Sequence, residues 1–401
     1  FDEAVIRNLR SRRAFSTPVM IARFTLSLLA AASLHATPPN VVLIVSDDQG
    51  WPDLGCIGSK PVQTPNLDKL AERGVRGTSF YVTWPACTPS RGSLLTGRYP
   101  QRNGLYDMVR NDMVNYGHRY KPEEYAVSPE MTLGLDPREI TIGDMLRKAG
   151  YYTAYKGKWH MTKEFETVND LGHPTKFFTK EMEAYGFSDY FGIGDIIAHT
   201  NGGYLHDQVT AAMTVNWLRG RGTDLAGQNK PWFLAVNIVN PHDIMFLNTD
   251  RPGQPVQEKN ILGHINQPPA EPYFSKQWAF NLPASHSQRL DAPGRPPAHS
   301  EYMRSHDGLT GNIANEDWRW KKRHNYYLNC LRDADRNITA ILDELERQGL
   351  ASKTIVVLTA DHGDLDGAHG LHAKGATAYR EQNHVPLIIS HPGYAGGRRC
   401  R

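Results

Sequence analysis

The sequence predicts an α/β protein with a mainly parallel central β-sheet flanked by helices. Three continuous apolar, β-rich runs, 40–46 (NVVLIVS), 232–238 (WFLAVNI) and 354–360 (TIVVLTA), have the pattern of strands buried on both faces. Helical patterns separate them, as a parallel sheet requires. Each run ends abruptly in ionisable residues: Asp47 and Asp48, then His242 and Asp243 after Asn240-Pro241, then Asp361 and His362. Ligands of such sheets sit outside the carboxyl ends of the strands, so these distant groups should converge on one pocket.

Taken in order, residues 1–36 read as processing sequence. The chain begins at Phe1. From Met20, a basic Arg23, the apolar run Phe24–Ala32 and small residues up to Ala36 match a secretory signal peptide too short to span a membrane. The expected organisation is an upstream extension and signal peptide over 1–36, one folded domain over 37–401, and a periplasmic or secreted destination. The run at 40–46 delivers two adjacent carboxylates, which are costly to bury unless a cation neutralises them. Asn66–Gly74 reads as a helix closed by glycine, and 77–84 as an extended lead-in to Cys87.

Thr141–Gly150 pairs a Thr N-cap with a terminal Gly around a short helix. Tyr151–Lys156 is a strand, after which Lys158 and His160 alternate toward one side of an extended segment. Asp207–Gly220 has helical spacing at Val209, Ala212, Met213 and Trp217. Residues 248–318, rich in Pro, Gly, His and Asn, lack periodicity and read as a long irregular insertion that shapes a ligand site. Trp320–Gly349 carries the longest helical pattern, with Leu328, Leu331, Ile338, Leu342 and Leu345 on its apolar side. Within it, Asn337-Ile338-Thr339 fits a glycosylation sequon. A loop with Lys374 precedes a last strand, Val385–Ser390, and no further layer is expected before Arg401.

Composition narrows the function classes. The chain has 401 residues, 40% hydrophobic and 22% charged, with ample material for a core. A net charge of +3 is too small to argue for nucleic acid or an acidic membrane surface. The expectation is no nucleic-acid partner and no stable membrane insertion. Four cysteines, at 56, 87, 330 and 400, imply no disulfide framework.

The most informative stretch runs from Cys87 to Gly97 (CTPSRGSLLTG). Pro89 suits the first turn of a helix, which places Cys87 just ahead of a helix N-terminus, where N–H groups and the dipole favour an anion. Arg91 adds a fork of donors matched to a tetrahedral oxyanion. The stretch matches the signature Cys-x-Pro-Ser-Arg-x-x-x-x-Thr-Gly at every fixed position. It therefore resembles the type I, formylglycine-dependent sulfatase family of the alkaline phosphatase superfamily, and the resemblance extends from about Asn40 to Gly393.

The resemblance implies an alkaline phosphatase/sulfatase-like fold whose smaller C-terminal subdomain is missing here. It implies that a separate formylglycine-generating maturase oxidises Cys87 to Cα-formylglycine, the source of the nucleophile. Asp47, Asp48, Asp361 and His362 would bind a divalent cation together with the modified Cys87. Three carboxylates suit Ca²⁺, while an imidazole in place of the asparagine of many members leaves Mg²⁺ or Mn²⁺ open. The catalytic set would be Cys87, Arg91, Lys158, His160, His242 and Lys374. In that set Asp361 takes a proton from the nucleophile, and Arg91, Lys158 and Lys374 hold the sulfate oxygens. His242, with Lys374, protonates the departing oxygen, and His160 breaks down the sulfated intermediate. The substrate would be a small-molecule or carbohydrate sulfate ester; aryl, carbohydrate and choline sulfates all fit. Two rival readings stand beside this one: a phosphonate monoester or phosphodiester hydrolase on the same scaffold, and a non-catalytic binder of sulfated ligands. The binder would need neither an oxidisable Cys87 nor His242.

Overall fold

The computed structural model describes residues 37–58, 64–109, 134–162, 179–192, 200–253, 255–257 and 264–400. The extension and signal peptide expected over 1–36 lie outside the described residues.

The strands are β1 (Asn40–Asp47), β2 (Val75–Gly77), β3 (Tyr152–Gly157), β4 (Asp189–Phe191), β5 (Trp232–Pro241), β6 (Thr354–Ala360), β7 (Leu387–Ser390) and β8 (Arg398–Cys400). They form one sheet in the order β4-β3-β5-β1-β6-β7-β2-β8. From β4 to β6 every pairing is parallel, β7 runs antiparallel to both β6 and β2, and β8 is parallel to β2. The central strands are apolar throughout because both faces are covered. Val42, Ile44, Leu234, Val236 and Leu358 face one core, and Leu43, Val45, Phe233 and Ala235 face the other.

Among the described residues, six helices have seven or more residues: α1 (Pro65–Arg73), α2 (Cys87–Thr96), α3 (Ile142–Lys148), α4 (Gly202–Trp217), α5 (Ala298–Thr310) and α6 (Asp317–Arg347). The first core is closed by Leu67 and Leu70 of α1, Ala211 and Trp217 of α4, and Ala334, Ile338, Ile341 and Leu345 of α6. In α3, Thr141 caps the N–H groups of Gly143 and Asp144, while Asp144 accepts from the Thr141 N–H, a reciprocal box that fixes the start. Gly97 closes α2 at φ 66°, in the left-handed region that glycine tolerates.

Several elements differ from the sequence reading. Cys87 is the first residue of α2 rather than the residue ahead of it, and Pro89 is the third. Proline is tolerated there because the N–H groups of a first turn have no intrahelical acceptor. The region expected to be irregular over 248–318 contains α5, which buries Tyr302 and Met303 against the loop that carries Leu365 and Leu371. The helix expected over 207–220 starts at Gly202 and passes through a π-helical turn, Leu218–Gly222, into Thr223–Gly227. β8 adds a short edge strand where no further layer was expected. Lys158 and His160 do not follow strand alternation, because Gly157 (φ 87°) and His160 (φ 52°) break the extended backbone. Asn337 is 5% exposed within α6, so the sequon is closed to a glycan.

Register sets the site. β3, β5, β1 and β6 end along one edge, with Gly157 opposite Asn237 and Ser46 opposite Ala360. Between β1 and β5 the register shifts, since Val45 pairs with Asn237 and Asp47 with Pro241. The extra residues of β5 carry His242 up to the level of the β1 carboxylates. At Gly157 the sheet has no room for a side chain: a Cβ would lie 1.9 Å from the Asn237 carbonyl oxygen. Gly157→Ala is therefore expected to lower the unfolding free energy by roughly 2 kcal/mol or more, read from urea denaturation; an unchanged midpoint would contradict this close approach.

Candidate active site

The groups that the sequence places at strand ends meet at one edge of the sheet. Asp47 ends β1, Asp48 follows it in a left-handed conformation (φ 64°), and Asp361 and His362 follow β6. The side chains of all four are buried. Cys87, at the N-terminus of α2, is fully buried among them. Its Sγ lies 3.5 Å from Asp47 Oδ1 and 3.2 Å from His362 Nε2. Asp47, Cys87, Asp361 and His362 each offer a ligand atom within 4.8 Å of the others, and so, as a second set, do Asp47, Asp48 and His242.

Cations from separate elements offset this negative charge. Arg91, one helical turn beyond Cys87, donates from Nη2 to Asp47 at 3.0 Å and from Nε to Asp361 at 2.8 Å. Its Nη1 donates to the Lys158 carbonyl at 3.2 Å and to Asn237 Oδ1 at 3.1 Å. Lys158 pairs with Asp47, and Lys374 Nζ reaches Asp48 Oδ2 at 2.6 Å. His362 Nδ1 is 2.9 Å from Asp48 Oδ1. His160 follows two residues after Lys158. Its Nε2 is 3.0 Å from the Val109 carbonyl, and its own carbonyl accepts from Thr88 beside Cys87 at 2.8 Å.

Burial and charge set the protonation states. Burial alone would raise the Asp47 carboxyl, but Lys158, Lys374, His242 and Arg91 hold it well below the usual range. Burial likewise raises Asp48, and Lys374 and His362 bring it below its ordinary value. Asp361 goes the other way: burial and then the neighbouring Asp47 push it up to about 7, against His362 and Arg91. Burial and Asp47 also oppose ionisation of Cys87, yet Lys158, Lys374 and His362 pull the thiol well below its ordinary value. Burial would lower His362, but Asp361, Cys87 and Asp48 raise it far above.

These residues fit a divalent cation. Oxygen donors from Asp47, Asp48 and Asp361 suit a hard ion, and with Cys87 and His362 they converge from three separate segments of the chain. Asp361, Cys87 and Asp48 together favour positive charge at His362, which a bound cation would supply in its place.

The sequence reading missed the residues that hold these groups in place. Asn237 steadies Arg91, Ser90 donates to the Asp361 carbonyl, Tyr155 donates to the Lys158 carbonyl at 2.6 Å, and the Tyr327 hydroxyl lies 2.7 Å from the Asp48 carbonyl. Two of them left a signal: Ser90 as a fixed position of the signature, and Asn237 as an amide inside an apolar run.

The chain is similar in sequence and fold to known proteins. The family model described as Sulfatase matches residues 39–397. The chain is 28% identical to human arylsulfatase A over 379 residues, which is 93% of this chain and 62% of that protein's length. Among solved structures, a 2-O GAG sulfatase superposes with a TM-score of 0.56 at 20% identity, covering 89% of this chain and 65% of its own. The phosphonate monoester hydrolase of Agrobacterium radiobacter does so with a TM-score of 0.57 at 20% identity, covering 90% and 70%. At such identities the structural matches show the shared fold.

Arg91 bridges two buried carboxylates on different strands, and removing it strands both. Arg91→Met is expected to cost about 3–5 kcal/mol of stability; a loss below about 1 kcal/mol in chemical denaturation would mean that the lysines alone neutralise the pair.

Proposed function

The chain belongs to the sulfatase family, and on that premise we propose that it is a sulfuric ester hydrolase, cleaving a sulfate monoester at residue 87 to release sulfate and an alcohol or phenol. The observation that carries this reading is the enclosure of Cys87 Sγ by Asp47 and His362, with Arg91, Lys158 and Lys374 packed around the same carboxylates.

Asp47, Asp48, Asp361 and His362, with residue 87, would hold a divalent cation, Ca²⁺ before Mg²⁺ or Mn²⁺. Such an ion supplies a Lewis acid for the ester oxygens. Cys87, once oxidised by the maturase to formylglycine, supplies a hydrated aldehyde as nucleophile. The remaining work falls to this chain's own side chains. Arg91 orients Asp47 and Asp361 while its fork faces the residue 87 end of α2. Lys158 and Lys374 bring positive charge to the carboxylate edge, where a sulfuryl group's oxygens develop charge. Asp361, in the same cluster as Cys87, is placed to take the proton of the nucleophile. His242, beside Asp47 and Asp48, donates a proton to the departing oxygen. His160 takes one in the second step from the side of Thr88.

The natural ester is proposed as a sulfated carbohydrate or small molecule, in keeping with the likeness to a 2-O GAG sulfatase. The pattern over 1–36 supports a periplasmic or secreted location. Among the described residues, no helix is long and apolar enough to cross a membrane.

Cation binding is testable without turnover. With Ca²⁺ at about one hundred times its Kd, stability should rise by about 2.7 kcal/mol, and Asp361→Asn should remove most of that gain. An equal Ca²⁺ shift in both proteins, followed by thermal melts, would place the ion elsewhere.

The division of labour between the histidines is testable by kinetics on protein matured at residue 87, with Cys87→Ala as the inactive control. His242→Ala should slow aryl sulfates with high-pKa leaving groups about 10²–10⁴-fold and spare activated ones. His160→Ala should give a burst of alcohol followed by slow turnover. Identical leaving-group dependence without a burst would refute the assignment, and faster turnover of phosphonate monoesters than of sulfate esters would favour the rival chemistry.

A further inference from the structure

One face of α6 touches both halves of the site, and the mechanism above assigns it nothing. Arg323, 1% exposed, donates from Nη1 to the Ile244 carbonyl at 2.8 Å, in the turn His242–Phe246. Its Nε donates to Asp366 Oδ1 at 3.0 Å, and Nη2 lies 3.5 Å from both Asp364 oxygens. Those acids sit on the loop leaving Asp361 and His362, and Asp364 Oδ1 accepts from the Asp366 N–H at 2.7 Å. His324 Nδ1, beside Arg323, closes on Asp366 Oδ2 at 2.5 Å. One helical turn further on, the Tyr327 hydroxyl lies 2.7 Å from the Asp48 carbonyl oxygen and 2.5 Å from Asp53 Oδ2. Positions i and i+4 share a helix face, so a single rigid element grips three segments that carry site residues.

We propose that Arg323 and Tyr327 are positioning residues with separate tasks. Arg323 sets the placement of His242 against the Asp361–His362 loop, and Tyr327 fixes Asp48 among the cation-holding carboxylates. The planar guanidinium holds acceptors on two segments in fixed directions, which a single ammonium cannot do. The Ile244 carbonyl is two residues from His242 within one tight turn, so its release lets the imidazole tilt. Asp48 has a left-handed backbone, uncommon for a non-glycine residue though less so for aspartate, and the Tyr327 hydroxyl meets its carbonyl at 2.7 Å. The alternative is a merely structural role, with Arg323 neutralising Asp364 and Asp366.

The proposal rests on the sulfate-ester reading, and its test separates the two. In matured, Ca²⁺-loaded protein, Arg323→Lys and the milder Asp366→Asn should lower kcat about 10–100-fold on aryl sulfates with poor leaving groups, and less than about threefold on activated ones. Added to His242→Ala, Arg323→Lys should cost less than about twofold more, because the group it positions is already gone. Tyr327→Phe should raise the calorimetric Kd for Ca²⁺ about tenfold and leave the leaving-group dependence unchanged, while Arg323→Lys should keep that Kd within about twofold. A uniform loss across leaving groups, or effects that multiply with His242→Ala, overturns the role of Arg323. An unchanged Ca²⁺ Kd in Tyr327→Phe overturns that of Tyr327. If the unsubstituted protein turns over no sulfate ester, the functional reading falls, and the Ca²⁺ titrations still decide whether the two residues act separately.

Discussion

Three carboxylates from two strand ends cannot share a dry space unless matching positive charge arrives with them, and much of this architecture answers that constraint. Asp47, Asp48 and Asp361 are all buried. The offsetting groups come from separate elements: Arg91 from α2, Lys158 from beyond β3, and Lys374 from the loop after β6. Removing one member of a buried pair leaves the other as an uncompensated charge. The site is therefore also a structural junction, completed only when α2 and the loop after β6 close over the sheet edge. Arg91 is its centre, since its one guanidinium touches groups at the ends of β1, β3, β5 and β6.

Much of this was legible in the sequence for a simple physical reason. A strand covered on both faces must be apolar at every position, so β1, β5 and β6 stand out as uninterrupted runs. Where such a run stops at an aspartate or histidine, the change marks the edge at which ligands are bound. Residues far apart in the chain, from Asp47 to His362, could be grouped on that basis, whereas Lys374 entered only through the family resemblance. The terminal glycine of α2 and the Thr141 cap were legible because each satisfies a local backbone need.

The remainder depends on pairing rather than pattern. β2, β4 and β8 have three residues each, too few to show a period, and exist because a neighbour offers its edge. α5 was hidden by its His, Ser and Gly content, since few of its residues need to be apolar. The alternation assumed for Lys158 and His160 failed because glycine and a left-handed histidine end the strand there. Arg323 and Asp366 carry no local signature, and only the folded chain shows that their partners are each other.

The place of β1 has a consequence for biosynthesis. It lies between β5 and β6, and among the described residues these are its strand partners. Both partners are made long after it, so a strand with the apolar run Val41–Val45 must wait with two open edges while the intervening chain is synthesised. Contacts between residues so distant in sequence form slowly, and unpaired apolar strands are the species most prone to wrong association meanwhile. The strand that anchors the finished sheet is thus the one most in need of shelter by a chaperone before its neighbours arrive.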